Sequence, residues 1–138
     1  MNTENLSRIV EIIRVSFETR NFDPMIDLFT DDGIYETPYA FENAQAIGIE
    51  AIRKRFAQVS ESQWNKAVRI NTVSVKSIPA LDGNSIFVAF NISGVRVSDN
   101  TPFDFPSSVA IIHTRNNHIL HYQDYPNILG IRKAAGLG

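Results

Sequence analysis

Apolar and polar positions follow a helical period in the first part of the chain. From Glu4 to Phe17 the apolar residues recur at helical spacing, which predicts an amphipathic helix. A second, shorter helix is predicted over Asn21–Thr30, where Pro24 can occupy the first helical turn at little cost. A short strand over Ile34–Thr37 and a third helix over Gly48–Val59 follow.

The rest of the chain carries the β-branched and aromatic residues that are typical of strands. The turn-forming sequences IPALDGN, SDNT and NN separate four such segments. Helices first and long consecutive strands afterwards indicate a single α+β domain over residues 1–138, with the helices covering one face of an antiparallel sheet. The predicted strands are Lys66–Ser77, Ser85–Val97, Phe103–Arg115 and Ile119–Tyr125.

The last hairpin allows a residue-by-residue register to be predicted. Asn116 and Asn117 form a plausible two-residue turn, because asparagine tolerates the positive φ that such turns require. Directly paired residues share a face, and the more apolar face should meet the helices. Asp124 is therefore predicted to point inward. The predicted pairs are His113 with Leu120, Ile111 with Tyr122, and Val109 with Asp124.

The opposite face of the predicted sheet is too apolar to be wholly exposed to water. A second copy of the chain would cover it economically, so a homodimer through this face is expected. The residues assigned to the face are Phe87, Ala89, Ala110, Ile112, His121 and Tyr125.

Composition and charge exclude several classes of function. Hydrophobic residues make up 43% of the chain, charged residues 20%, and the net charge is −2, so neither a nucleic-acid surface nor a membrane surface is indicated. The absence of cysteine excludes disulfides and thiolate chemistry. The three histidines have no metal-ligand spacing, so no metal site is expected. The first ten residues lack the features of a signal peptide, and a cytoplasmic location is the default expectation.

Two motifs carry a resemblance to a known family. The segment YETPYAFENAQAIGIEAIRKRF (Tyr35 to Phe56) and the closing segment HYQDYPNILGIRKAAGLG (His121 to Gly138) resemble those of SnoaL-like proteins, in the nuclear transport factor 2-like superfamily. LFTDDGIYE is a weaker third match. The resemblance implies a cone-shaped α+β barrel, in which three N-terminal helices pack on a curved, mostly antiparallel sheet of one short and four long strands.

Carrying the family's residues over shows which chemistry is absent. The ketosteroid isomerases of this superfamily use a general-base aspartate and two oxyanion-binding residues, and the corresponding positions hold Thr37, Ile13 and Val109. Val109 and Ser107 stand where the related epoxide hydrolase has charged partners. The acid of the closing strand, which cyclases of the SnoaL type use for proton transfer, does match and is Asp124.

The resemblance and the pattern together predict a protein with an apolar pocket for a small hydrophobic molecule. The expected chemistry is cofactor-free proton transfer by an isomerase, cyclase or dehydratase, with a small cyclic substrate, Asp124 as acid or base, and Tyr35 or Tyr122 steadying an oxyanion. A non-catalytic binding protein and a protein-interaction module are the alternatives. For Asp124 the alternative is a structural role, with its carboxyl group satisfied by a backbone N–H or a tyrosine hydroxyl. Glu36 should face away from the pocket. The predicted ligand-binding residues are Phe17, Thr37, Tyr39, Trp64, Phe90, Phe105, Ser107 and Val109.

Overall fold

A computed structural model describes residues 2–42 and 44–137 and shows helices packed on one face of a six-stranded sheet. The helices are α1 (Asn2–Thr19), α2 (Asp23–Ile26), α3 (Ile49–Glu61), α4 (Gln63–Ala67) and α5 (Ile128–Ala135). The strands are β1 (Phe29–Glu36), β2 (Gln45–Ile47), β3 (Val68–Pro79), β4 (Ser85–Arg96), β5 (Pro102–Arg115) and β6 (His118–Pro126).

The strands lie in the order β2-β1-β6-β5-β4-β3. The β1–β6 pair is parallel, and the other four pairs are antiparallel. The predicted α+β class with a mostly antiparallel sheet is confirmed. The sheet is open rather than closed into a barrel, because β2 and β3 are edge strands with a single neighbour each.

The core lies between α1 and the inner face of the sheet. The helical spacing of the apolar residues places Leu6, Ile9 and Ile13 on one side of α1, where each is at most 2% exposed. They belong to the same buried cluster as Val88 and Ile112, which are fully buried on the central strands. This packing holds α1 over β3 and β4, on one side of the sheet.

Several elements differ from the sequence prediction. The second helix is only one turn long, because β1 already begins at Phe29 and takes Thr30 into the sheet. The strand ends at Glu36, so Thr37 follows it rather than closing it. The short strand β2 and the helices α4 and α5 were not predicted, since each is too short to show a clear period.

The register predicted for the last hairpin is wrong by one residue. The Asn116-Asn117 turn is present, with φ angles of 52° and 64°, and Arg115 pairs with His118 across it. A β-bulge follows, because Thr114 pairs with Ile119 whereas His113 pairs with His121. The extra residue, Leu120, shifts every later pair, so Tyr122 lies opposite Ile112 and Asp124 opposite Ala110.

The bulge reverses the faces predicted for β5. Ala110 and Ile112, which were assigned to the outer face, are fully buried on the inner one. Val109, assigned to the inner face, is 37% exposed on the outer one. His113 likewise lies on the outer face, where its Nδ1 is 2.9 Å from the Ser85 hydroxyl. On β6 the prediction holds, because Tyr122 and Asp124 both face inward.

Among the described residues, no helix has the length and the apolar composition needed to cross a membrane.

Candidate active site

A cavity of about 250 Å³ opens between the helices and the inner face of the sheet. Its walls come from the end of α1, from α3, α4 and α5, and from five of the six strands or the residues that follow them. The lining is mainly apolar, with two arginines and one carboxyl group. The lining residues are Phe17, Arg20, Tyr35, Thr37, Arg55, Phe56, Val59, Trp64, Ile70, Val73, Phe90, Ile92, Ser107, Ser108, Asp124, Pro126, Ile128 and Ile131.

Asp124 supplies the carboxyl group. It lies on β6 and is 9% exposed. The Tyr35 hydroxyl, on the neighbouring strand β1, donates a hydrogen bond of 2.5 Å to its Oδ2. Its other oxygen, Oδ1, is buried and has no hydrogen-bond partner among the described residues. One carboxylate oxygen is therefore held in place, and the other is left with its hydrogen-bonding capacity unused.

The surroundings of Asp124 favour its neutral form. Burial raises the pKa of the carboxyl group from 3.8 to about 6, while the hydrogen bond from Tyr35 acts in the opposite direction. Burial, together with the nearby charge of Asp124, also raises the pKa of the Tyr35 hydroxyl well above its usual value. Tyr35 thus stays protonated, and Asp124 titrates close to neutral pH. An acid with such a pKa can both accept and donate a proton.

Tyr122 lies beside this pair but does not reach the cavity. Its ring is 5.3 Å from the ring of Tyr35, and its side chain is fully buried. Its hydroxyl has no hydrogen-bond partner among the described residues. The geometry does not favour the sequence-based assignment of Tyr122 as a stabiliser of an oxyanion, because Tyr122 is fully buried and is not among the residues that line the cavity.

The structure brings seven of the eleven predicted site residues together at the cavity. They are Phe17, Tyr35, Thr37, Trp64, Phe90, Ser107 and Asp124. The rings of Phe17 and Phe90 meet edge to face, with centroids 5.5 Å apart. Ser107 is buried and donates to the Phe90 carbonyl at 3.4 Å. The spacing of Tyr35 and Thr37 by two residues puts both on the inner side, as expected.

Besides Tyr122, three predicted residues lie elsewhere. Tyr39 is 86% exposed in the loop after β1 and packs against Tyr125. Val109 faces outward because of the bulge. Phe105 faces inward but packs next to Phe103 and under α5 rather than at the cavity.

The polar groups of the outer face form a separate cluster. The carboxylate of Glu36 meets His121 Nε2 at 2.8 Å, and this contact lowers the pKa of Glu36. The His113 and His121 rings lie 5.9 Å apart. Glu36 therefore has the salt-bridged role away from the cavity that its position on β1 predicts.

The main residues that the sequence analysis missed are Arg20 and the apolar side chains of α5. Arg20 follows α1 in a polar stretch without a distinctive motif. Ile128 and Ile131 lie on a helix of eight residues, which begins with an Asn127 cap that accepts a hydrogen bond from the Gly130 amide at 3.0 Å. The Asn-x-x-Gly start and the spacing of Ile128 and Ile131 are the signals that could have indicated this helix.

A family model supplies an independent test of the resemblance. The model of the SnoaL-like domain matches residues 9–122, which is most of the chain. The chain belongs to the SnoaL-like domain family. The chain is also similar to the uncharacterized protein YesE of Bacillus subtilis (strain 168), to which it is 23% identical over 111 residues, which are 80% of this chain and 73% of YesE.

Solved structures share the fold over nearly the whole SnoaL-like chain. A Bacillus subtilis protein provisionally named an isomerase superposes with a TM-score of 0.80 at 19% identity, over 100% of this chain and 97% of its own. A Xanthomonas campestris pv. campestris protein provisionally named a polyketide cyclase gives 0.74 at 14%, over 98% and 99%. A Catenulispora acidiphila DSM 44928 protein with a ketosteroid isomerase-like fold, in complex with trimethylamine, gives 0.71 at 23%, over 94% and 93%. At these identities the likeness establishes the fold alone.

Proposed function

We propose that this SnoaL-like protein catalyses cofactor-free proton transfer on a small, largely apolar cyclic molecule, as an isomerase, cyclase or dehydratase does. The observation that carries the proposal is the Asp124 carboxyl group, which is buried at the cavity with Oδ2 bound by Tyr35 and Oδ1 unpartnered. A purely structural aspartate would be expected to have both oxygens satisfied.

The proposed reaction uses Asp124 as base and then as acid. The ionised carboxylate removes a proton from a carbon next to a carbonyl group, and the protonated form returns it to another atom of the same molecule or to a leaving group. Tyr35 is a positioning residue in this scheme, because its only hydroxyl proton is committed to Asp124 Oδ2. Arg55 also lines the cavity, and its positive charge acts on Tyr35, which places a cation on the side where an oxyanion would develop.

The size of the cavity limits the substrate. Its volume of about 250 Å³ is just under the roughly 300–1,000 Å³ that is typical of pockets for drug-sized ligands. A molecule with one ring suits this space, and the aromatic side chains of Phe17, Phe56 and Phe90 offer it apolar contacts.

Proton transfer can be tested without knowing the natural substrate. Single-ring ketones and enones are incubated with the protein in D₂O, and deuterium incorporation next to the carbonyl is followed by NMR. We expect exchange above the buffer rate with the wild type, and a loss of about 10²–10⁴-fold with Asp124→Asn, the range of general acid-base contributions. Asp104→Asn is the matched control, since Asp104 binds Asn91 on the outer face.

Absence of exchange with every compound would contradict the proposal. If native mass spectrometry then shows a small molecule that copurifies with the wild type, the protein is a binding protein. Copurification of another protein with an empty cavity would instead indicate an interaction module.

A further inference from the structure

We propose that the ligand of this cavity is a small monocarboxylic acid, whose carboxylate binds Arg20 on the wall away from Asp124. The inference rests on the proposed function, because it assigns a substrate class to the same cavity. It is carried by the contacts of Arg20, by the charges of the lining and by the position of Trp64.

Packing fixes the position of the Arg20 guanidinium. Its Nε and Nη2 both donate to the Asn65 side-chain oxygen on α4, and Nη1 donates to the Phe17 carbonyl at 3.4 Å. The group lies 5.0 Å from the centroid of the Phe22 ring and 5.7 Å from that of Trp64. Both distances are within the range of cation–π attraction. The guanidinium is thus preorganised by two aromatic rings and one amide.

The same guanidinium has hydrogen-bonding capacity left over. An arginine has five N–H donors, and the contacts of Arg20 with the described residues use three of them. Among residues 2–42 and 44–137, no carboxylate forms an ion pair with Arg20. The nearby acid Glu18 is already occupied, because its Oε2 binds Arg14 and the Val73 amide. A cation that is partly removed from water and has no anionic partner carries a desolvation cost that an anionic ligand would offset.

Burial and backbone geometry both indicate that the arrangement is costly. Burial lowers the pKa of Arg20 to about 10, which shows that the surroundings disfavour its charge. The residue also has a φ of 63°, in the left-handed region that asparagine or glycine would occupy more easily. Desolvation at a cavity wall is typical of charged groups that serve binding, whereas the left-handed φ also fits the residue that directly follows the end of α1.

The charges of the lining favour an anion. Arg20 lines the cavity without an ion-pair partner among the described residues, and Asp124 is the single acid of the lining. Asp124 lies on β6. Two strands, β5 and β4, lie between β6 and β3 in the sheet, and Ile70 of β3 lines the cavity together with Arg20. A ligand can therefore place a carboxylate at Arg20 and its reacting carbon at Asp124, with an apolar body between them.

A carboxylate fits this position better than a phosphate. The planar guanidinium can form two parallel hydrogen bonds with a carboxylate. A phosphate ester would bring up to about two negative charges at neutral pH into an apolar cavity that already contains Asp124. The proposal therefore commits to a monocarboxylate.

Trp64 allows the proposal to be tested by fluorescence, because it is the single tryptophan of the chain and lies beside Arg20. The probes are benzoate and benzamide, which have the same shape and differ in charge. We expect benzoate to change the fluorescence of Trp64 with at least about tenfold tighter binding than benzamide, the difference that a charge-assisted pair supplies. Arg20→Gln should remove this preference and leave benzamide binding unchanged.

Two further variants locate the effect. Arg53→Gln is the matched control, since Arg53 is exposed on α3, pairs with Asp23 and does not line the cavity. Arg55→Gln examines the second arginine of the lining. If Arg55→Gln abolishes the preference for benzoate and Arg20→Gln does not, the assignment to Arg20 is wrong. Phenyl phosphate that binds in place of benzoate would overturn the choice of a carboxylate.

A merely structural Arg20 gives a different result. Arg20→Gln would then weaken both probes equally, and equal binding of the two probes to the wild type would overturn the proposal even if Arg20→Gln does not fold. So would the failure of benzoate to bind at millimolar concentration. The outcome is distinct from that of the exchange test, because a preference for benzoate without deuterium exchange contradicts only the proton transfer. Exchange on neutral ketones without that preference contradicts only the carboxylate site.

Discussion

At Asp124, the stability of the fold and the proposed function make opposite demands on the charge of the carboxyl group. Its pKa is about 6 in the folded protein against 3.8 for the unperturbed group, so holding it ionised costs about 3 kcal/mol of folding free energy. The folded state binds more protons than the unfolded state between about pH 4 and 6. The contribution of Asp124 to stability therefore falls as pH rises through that window, and the full cost is present above it.

Asp124→Asn should consequently stabilise the protein in a pH-dependent way. The amide removes the buried charge, and its oxygen can still accept the Tyr35 hydrogen bond. We expect its free energy of unfolding, relative to the wild type, to increase by about 1–3 kcal/mol between pH 4 and pH 8. Urea unfolding at several pH values measures this, with Asp104→Asn as the exposed control. A variant that unfolds at every pH would show that Asp124 is a structural hydrogen-bonding centre instead.

Tyr35→Phe tests how the pKa of Asp124 is set. The hydroxyl of Tyr35 lowers this pKa, so its removal should raise it further. Proton abstraction requires the ionised form, and the acidic limb of the pH profile for deuterium exchange should then move to higher pH.

Tyr122→Phe is the matched variant, because the Tyr122 hydroxyl is buried without a partner. Tyr122→Phe should leave the acidic limb of the pH profile unchanged. It should keep or increase the free energy of unfolding, since it removes an unsatisfied polar group. A profile that moves equally in both variants would indicate a general effect of the core rather than the hydrogen bond to Asp124.

At the scale of elements, α5 closes part of the cavity and depends on one arginine. Arg96, on β4, donates to the carbonyls of Ala134 and Lys133, each at 3.0 Å, and also binds Asp99. These carbonyls lie in the last turn of α5, where carbonyls run out of partners within the helix, and that of Lys133 also accepts from the Gly136 amide at 3.1 Å. Ile128 and Ile131 of the same helix line the cavity. The anchoring at one end of α5 thus supports the wall at the other.

Arg96→Gln should loosen α5 without unfolding the sheet. We expect a loss of about 1–3 kcal/mol, typical of hydrogen bonds to a charged donor, and faster hydrogen exchange at the amides of residues 131–135. Arg132→Gln is the control, since among the described residues the Arg132 side chain donates only to the Leu137 carbonyl of the same segment. Unchanged exchange in Arg96→Gln would show that apolar packing alone holds α5.

At the scale of the whole molecule, the outer face of the sheet exposes apolar side chains to solvent, although some of its residues differ from those predicted. Phe87 and Val109 are 39% and 37% exposed there, and Ile111, His121 and Tyr125 lie half-buried around them. This surface is apolar at its centre and has the Glu36–His121 pair at its rim. We propose that a second copy of the chain covers it, as the original face assignment also implied.

Val109→Glu should therefore give a monomer or an aggregate in sedimentation experiments. The substitution would bury an unpaired charge in the proposed interface, and the expected loss of dimer stability is about 3–5 kcal/mol. Leu81→Glu is the control, because Leu81 is fully exposed in the turn before β4. Ala110 and Ile112 are unsuitable for this test, since they lie in the core. A Val109→Glu protein that remains dimeric would exclude this face.

The parts of the fold that depend on local periodicity could be predicted from the amino-acid sequence. The amphipathic pattern of α1, the turn at Asn116 and Asn117, the alternation of the long strands and the motif around Asp124 were each readable without the structure. These features are local because helix and strand periods and turn dihedrals involve neighbouring residues only. They were sufficient for the α+β class, the family and the lining roles of Tyr35, Thr37 and Asp124.

The cross-strand partners, by contrast, depend on how the whole chain packs. Ile119 and Tyr122 are both fully buried although they are three positions apart, and a regular strand cannot place both inside. The bulge at Leu120 resolves this conflict. It brings both side chains into the core and interrupts the pairing that the turn would otherwise set. Because of the bulge, the predicted cross-strand partner of Asp124 is wrong. The predicted inward direction of Asp124 is nevertheless right, because the error in the register and the error in the face assigned to β5 cancel. Arg20 and Asn65 meet across 45 positions of chain through helix packing, so no local pattern could have placed a guanidinium at the cavity.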